Sequence, residues 1–123
     1  MEGLSINGER AVYRLSGTLS PDLAADNVRE ALEICRVQGV RELVADLHEV
    51  APTEEVGLGS RAFYIREWFR ASSGKVRLAV VVKPELIDPK RFGETFAGSI
   101  GLQAKAFVTV EEAVQWLDSL PAT

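Results

Sequence analysis

The sequence predicts an α/β fold, a mostly parallel sheet of about five strands opened by an N-terminal antiparallel hairpin and interleaved with about four helices. Three observations carry this prediction. Alternating apolar residues near the start are interrupted by Asn7-Gly8, a pair that tolerates the positive φ of a hairpin turn. Glu42 to Leu47, a short and nearly continuous apolar run, reads as a strand covered on both faces, and Val76 to Val82, rich in β-branched residues, as a further strand. Segments with apolar residues at steps of three and four separate these runs, as crossover helices joining parallel strands do.

Leu4 and Ile6 before the turn, and Ala11-Val12-Tyr13-Arg14-Leu15 after it, alternate as two paired strands would, and Gly17 is expected to break the second. Ser20-Pro21-Asp22 then places a hydroxyl at an N-cap, proline at the first helical position and a carboxylate at the positive helix end. Leu23, Val28, Ala31, Leu32, Ile34 and Cys35 supply the apolar stripe of that helix, and Gly39 stands where a C′ glycine ends it. Residues 42–47 follow as the central parallel strand, with a loop expected from His48 to Pro52. Thr53 reads as the cap of a second helix whose first turn holds Glu54 and Glu55, and whose inward face is Leu58, Ala62, Ile65 and Phe69. Ala71-Ser72-Ser73-Gly74 closes it.

The run to Val82 is rich in β-branched residues, and Pro84, which cannot donate to a ladder, ends it. A third helix is expected from Asp88-Pro89 to Ile100, with Phe92 and Phe96 one turn apart. A short strand from Gln103 to Val108 comes next. Thr109-Val110-Glu111-Glu112 then has the spacing of a capping box before a closing helix that carries Ala113, Val114, Trp116 and Leu117. The expected order is ββαβαβαβα, in one domain over residues 1–123.

Composition narrows the function classes. Lys and Arg number 14 against 18 Asp and Glu, a net charge of −4 that argues against a nucleic-acid binder, whose affinity comes from cations on phosphates. The single cysteine, Cys35, forms no internal disulfide and fits a reducing compartment. No stretch approaches the roughly 18 consecutive apolar residues of a membrane span, and the start lacks the basic-then-apolar order of a signal peptide. A cytoplasmic protein without membrane insertion is the expectation.

Leu15-Ser16-Gly17-Thr18-Leu19 before the first helix, Leu43-Val44-Ala45-Asp46-Leu47 in the central strand, Val56-Gly57-Leu58-Gly59 and the terminal Glu111-Glu112-Ala113-Val114-Gln115-Trp116-Leu117 together carry a family likeness. On these residues nearly the whole chain resembles the STAS family and its broader SpoIIAA-like (STAS/SEC14-type) relatives. The resemblance implies a SpoIIAA-like domain and the role of a bacterial-type regulatory module, as in anti-sigma-factor antagonists. Phospho-regulated members carry Asp-Ser-Ser-Gly-Leu-Gly at the second helix. Aligning Gly57-Leu58-Gly59 puts Glu54 on the aspartate, Glu55 on the phosphoserine and Val56 on the second serine, so the acceptor hydroxyl is missing. Glu55 supplies about one negative charge against the roughly one and a half to two of phosphoserine, a partial mimic only. Thr53 and Ser60 are nearby hydroxyls that do not align with the acceptor.

Other candidate chemistry is thin. Gly57-Leu58-Gly59 lacks the Lys-Ser/Thr ending of a P-loop and the third glycine of a dinucleotide fingerprint. Asp46, His48 and Glu49 follow a central strand, where α/β proteins place ligands, yet one histidine cannot build a His-rich zinc site. In a continuing strand these three residues would also alternate in direction. Cys35 reads as a small core residue. No catalytic residue, metal site or cofactor is expected.

The second helix is the most informative element, because Phe63, Tyr64 and Trp68 widen its apolar surface beyond one sheet contact. The leading expectation is a non-enzymatic protein–protein interaction module that binds a protein partner, or a second copy of itself, through Thr53, Glu54, Glu55, Phe63, Tyr64 and Trp68. The alternative is a module for an apolar or lipid-like small molecule held between the second and third helices. Phe69, Phe92 and Phe96 would line that cavity, and the segment from Pro84 to Pro89 would gate it.

Overall fold

In the computed structural model, which describes residues 1–121, the strands are β1 (Leu4–Asn7), β2 (Arg10–Leu19), β3 (Glu42–Pro52), β4 (Arg77–Val81) and β5 (Ala104–Phe107). They lie side by side in chain order, β1 antiparallel to β2 and every later pair parallel. The helices are α1 (Pro21–Gln38), α2 (Leu58–Ser72), α3 (Phe92–Ile100) and α4 (Val110–Ser119). The α/β class, the hairpin and the element order are as the sequence predicts.

The period of two along each strand sorts side chains onto two sheet faces. Ala11, Tyr13, Leu43, Ala45 and Leu78 belong to the core packed with α1 and α2. Val12, Val44, Ala79 and Val81 point the other way, against Ala113 and Leu117 of α4. A third cluster, Ile65, Ala97 and Leu102, joins α2 to α3. Three helices therefore share one face and α4 alone covers part of the other.

Capping follows the sequence at two helices. Ser20 Oγ accepts the Leu23 amide at 3.1 Å, and Thr109 Oγ1 accepts that of Glu112 at 3.2 Å. The Glu112 carboxylate meets the Thr109 hydroxyl at 3.1 Å. Gly39, at φ +73, ends α1 with its amide turned to the Arg36 and Cys35 carbonyls.

Four expectations are corrected. Gly17 does not break β2: at φ +114 it stays in the strand, opposite Val50. The central strand does not stop at Leu47 but runs to Pro52, because β2 continues as its partner through Leu19. β4 pairs with β3 only as far as Asp46, so beyond it the other edge of β3 has no strand partner among the described residues and proline is tolerated. Thr53 does not cap α2: its amide donates to the Leu19 carbonyl, extending the strand pairing, and the helix starts at Leu58 behind Gly57 with no side-chain cap. Finally, Leu23 and Leu58 lie on solvent-facing sides of their helices, 49% and 58% exposed, instead of on the inward stripes.

Between Arg14↔Asp46 and Ser16↔Glu49 the β2–β3 register slips, with Leu47 and His48 of β3 opposite Leu15 alone. This bulge changes the parity of the strand. Leu47 and Val50, three residues apart, both enter the core beneath α1. Beyond the bulge β3 has left β4, and the sheet face between their carboxyl ends is open.

Candidate functional site

That opening is a groove of about 700 Å³. Its floor is the sheet face of three neighbouring strands and the residue after β4, formed by Leu47 and Val50 of β3, Val80 of β4 with Val82 beyond it, and Ala104 and Ala106 of β5. Pro21, Ala24 and Ala25 of α1 form one wall, and Tyr64, Ile65 and Trp68 of α2 another. The groove exists because four alanines and Gly93 line it where longer side chains would meet. A Cβ on Gly93 would come within 3.3 Å of Ile65 Cδ1. Space of this size with mainly apolar walls is in the range of small-molecule sites.

The segment expected to act as a gate does border the groove. Pro84–Leu86 forms a single 3-10 turn, and Glu85, Leu86, Ile87 and Asp88 all line the opening. Asp88 ties this segment to α3: one carboxylate oxygen accepts the Phe92 amide at 2.9 Å and the other the Lys90 amide at 3.1 Å. These bonds hold its carboxyl below the usual carboxylate range. Arg91, at φ +53, turns the chain into α3, and its guanidinium bonds Glu94 at 2.6 Å and the Ala106 carbonyl at 3.1 Å.

The aromatic residues of α2 divide. Phe63 is 56% exposed and makes an edge-to-face contact with Tyr64, at 6.3 Å between ring centroids. Tyr64 lines the groove and donates its hydroxyl to Asp22 Oδ1 at 2.5 Å. Burial, then Asp22 and Glu54, push that phenol up to about 12. Trp68, half-buried on the groove wall, donates Nε1–H to the Ala25 carbonyl at 2.9 Å and so joins α2 to α1. Part of the wide apolar surface of α2 is thus spent on the helix pair. Thr53, Glu54 and Glu55 are exposed and line the groove in the irregular segment ahead of the helix.

Phe69, Phe92 and Phe96 are elsewhere. Phe69 and Phe96 pack against the Ile65–Ala97–Leu102 cluster, and Phe92 stacks on Phe96 at 6.1 Å with nearly parallel rings. The Arg66 guanidinium lies 5.3 Å from the Phe96 centroid. These rings form the α2–α3 contact beside the groove and do not line it. The alanines and the Leu86-Ile87 pair that do line it carry no local motif. Only the proline-bounded segment marks the place in the sequence.

On the opposite sheet face a second depression, of about 690 Å³, is bordered by Arg14, Ser16, Asp46, His48, Glu49 and the start of α4. The bulge brings Asp46, His48 and Glu49 into one cluster, where an unbroken strand would put Glu49 on the face opposite Asp46 and His48. His48 Nδ1 is 2.5 Å from Asp46 Oδ1, and its Nε2 is 3.6 Å from Glu49 Oε1. Arg14 Nε stands 3.6 Å from Asp46 Oδ2. This is an ion-paired cluster in which Asp46 is buried and His48 exposed. Among the described residues no group of three or more His, Cys, Asp or Glu side chains is arranged to hold a metal, and no helix is long and apolar enough to cross a membrane.

No protein-family model and no curated protein matches the chain. Among solved structures it is similar to that of the anti-sigma factor antagonist SpoIIAA in its unphosphorylated form, with 21% identity and a TM-score of 0.49 over 97% of each chain.

Proposed function

We propose that the protein is a binding module for an apolar small molecule, which it holds in the groove between α1, α2 and the sheet face of β3, β4 and β5. The observation that carries this reading is the groove itself, about 700 Å³ of space over an apolar floor that no side chain fills. Trp68 and Tyr64 give its wall aromatic faces, and Glu85 to Asp88 border its entrance. No covalent step is needed for this role: the residues present bind and enclose. Titration with the neutral fluorophore N-phenyl-1-naphthylamine tests it, because the dye brightens on leaving water. Saturable brightening at one dye per chain is expected, and an unsaturable or absent response sinks the reading.

A second reading, contact with a protein partner or a second copy, rests on the exposed side of α2. Leu58 and Phe63 are more than half exposed and follow the exposed Thr53-Glu54-Glu55 stretch. Sedimentation of the wild type and of Phe63→Ser over a range of concentrations tests the self-association form. A monomer in both proteins excludes the second copy.

A further inference from the structure

The charges around the groove carry the reading further, to the chemical class of its ligand. Five carboxylates border the groove, Glu54, Glu55, Glu85, Asp88 and Glu94, against three cations. The lining keeps a net charge of 3 − 5 = −2, because a bond to a carbonyl or a ring does not remove a cation's charge. Arg91 is bonded to Glu94, Arg61 Nε donates to the Val56 carbonyl at 3.4 Å, and Lys105 Nζ sits 5.7 Å from the centroid of the Phe107 ring. Asp88 is occupied by the two amides it caps. Glu54, Glu55 and Glu85 are exposed and, among the described residues, join no ion pair. An apolar groove with such a mouth repels an anionic head group and attracts a cationic one.

The aromatic wall agrees with the sign of that field. Tyr64 and Trp68 line the groove together with Glu54 and Glu55. Aromatic faces beside uncompensated carboxylates attract an alkylammonium nitrogen through the ring quadrupole and through charge. The hydroxyl of Tyr64 is already given to Asp22, so it is not free to donate to a carboxylate ligand.

We propose that the groove selects a single-chain amphiphile with an apolar tail and a positively charged nitrogen head, the head lying at the mouth formed by Glu54, Glu55 and Glu85 beside Tyr64. This rests on the groove being a ligand site. Tail burial supplies most of the affinity and the mouth supplies the choice of head.

The test compares three ligands of one chain length with the full chain by calorimetry at low ionic strength: decyltrimethylammonium and decanoate below their critical micelle concentrations, and decanol below its solubility in water. Decyltrimethylammonium is expected to bind roughly tenfold tighter than decanoate, with decanol between, and added salt narrows the spread. The triple variant Glu54→Gln, Glu55→Gln, Glu85→Gln should bring the three ligands within about twofold of one another. A control triple, Glu2→Gln, Glu30→Gln, Glu111→Gln, removes the same charge at exposed sites that do not line the groove and should leave the preference standing. Equal binding of all three ligands by the wild type, or tighter binding of decanoate, overturns the head-group assignment and leaves the apolar groove intact. A preference erased equally by both triples assigns it to net charge and also overturns the proposal. Binding of none of the three overturns the groove as a ligand site together with it.

Discussion

The buried carboxylate of Asp46 accepts both the backbone amide and the imidazole Nδ1–H of His48, at 3.3 and 2.5 Å, across the bulge of β3. Hydrogen bonding by Asp46 and then its charge raise the proton affinity of His48 above its ordinary value near 6.5, with Arg14 opposing weakly. An NMR titration of the single histidine should therefore give a midpoint above 6.5, and Asp46→Asn should move it down.

The same pair makes folding depend on pH in a definite direction. A group whose native pKa is raised stabilises the fold fully below its unfolded pKa and loses that contribution as pH rises through the native value. Urea midpoints of the wild type, measured against His48→Ala, should therefore fall from below pH 6.5 to beyond the native midpoint of His48. Parallel curves for the two proteins across that window refute the coupling.

Trp68 is the strut between α1 and α2 through its bond to the Ala25 carbonyl. Trp68→Phe keeps most of the ring and removes the N–H. Its expected cost is about 1 kcal/mol, the net worth of one hydrogen bond, whereas Trp68→Ala also loses the packing of a half-buried ring and should cost about 3 kcal/mol. Denaturation midpoints at constant m-value decide between a strut and a ring that merely lies on the surface.

Cys35, fully buried on α1, has its thiol pushed up to about 11 by burial. At pH 8 the native protein should react with a thiol reagent only through unfolding, at a rate that follows the opening equilibrium. Rapid labelling of the native state would contradict the buried placement.

Gly74 follows α2 at φ +67, and a Cβ there would lie 3.1 Å from Phe69 Cε1. Gly8, in the hairpin turn, has nearly the same φ of +65 and open space around it. Alanine at either site meets a backbone penalty of about 1–2 kcal/mol. Gly74→Ala must also displace the Phe69 ring, so it should destabilise the protein more than Gly8→Ala does. Equal losses would show that the ring yields freely.

What could be read from the sequence was local. The Ser20-Pro21-Asp22 start of α1 and the β-branched run of β4 announce themselves in consecutive residues, because capping and strand propensity act over a few positions. The start of α2 misleads for the same reason. Thr53-Glu54-Glu55 has cap chemistry, but its fate is decided by Leu19, whose carbonyl takes the Thr53 amide across the sheet. The bulge at Leu47 and His48 leaves no mark in composition, since one extra residue shows only against a partner strand. The groove is still less legible. It is the absence of side-chain volume in a space that Ala24 and Ala25 line together with Ala104 and Ala106, about eighty residues away in the chain.

That absence of volume can be tested by filling it. Ala106 lies on the floor of the groove, and Ala106→Leu adds three carbons to a space the chain leaves open. In a packed core such an enlargement strains its neighbours and costs about 1–3 kcal/mol. Over an open apolar floor it covers surface otherwise exposed to water, so stability should hold or rise by about 1 kcal/mol. The neutral dye loses its seat at the same time, and its affinity should fall by at least about tenfold, the effect of some 1.4 kcal/mol. Thermal unfolding and dye titration of the same variant separate the cases: loss of stability shows a filled site, and unchanged stability with unchanged dye binding places the dye elsewhere.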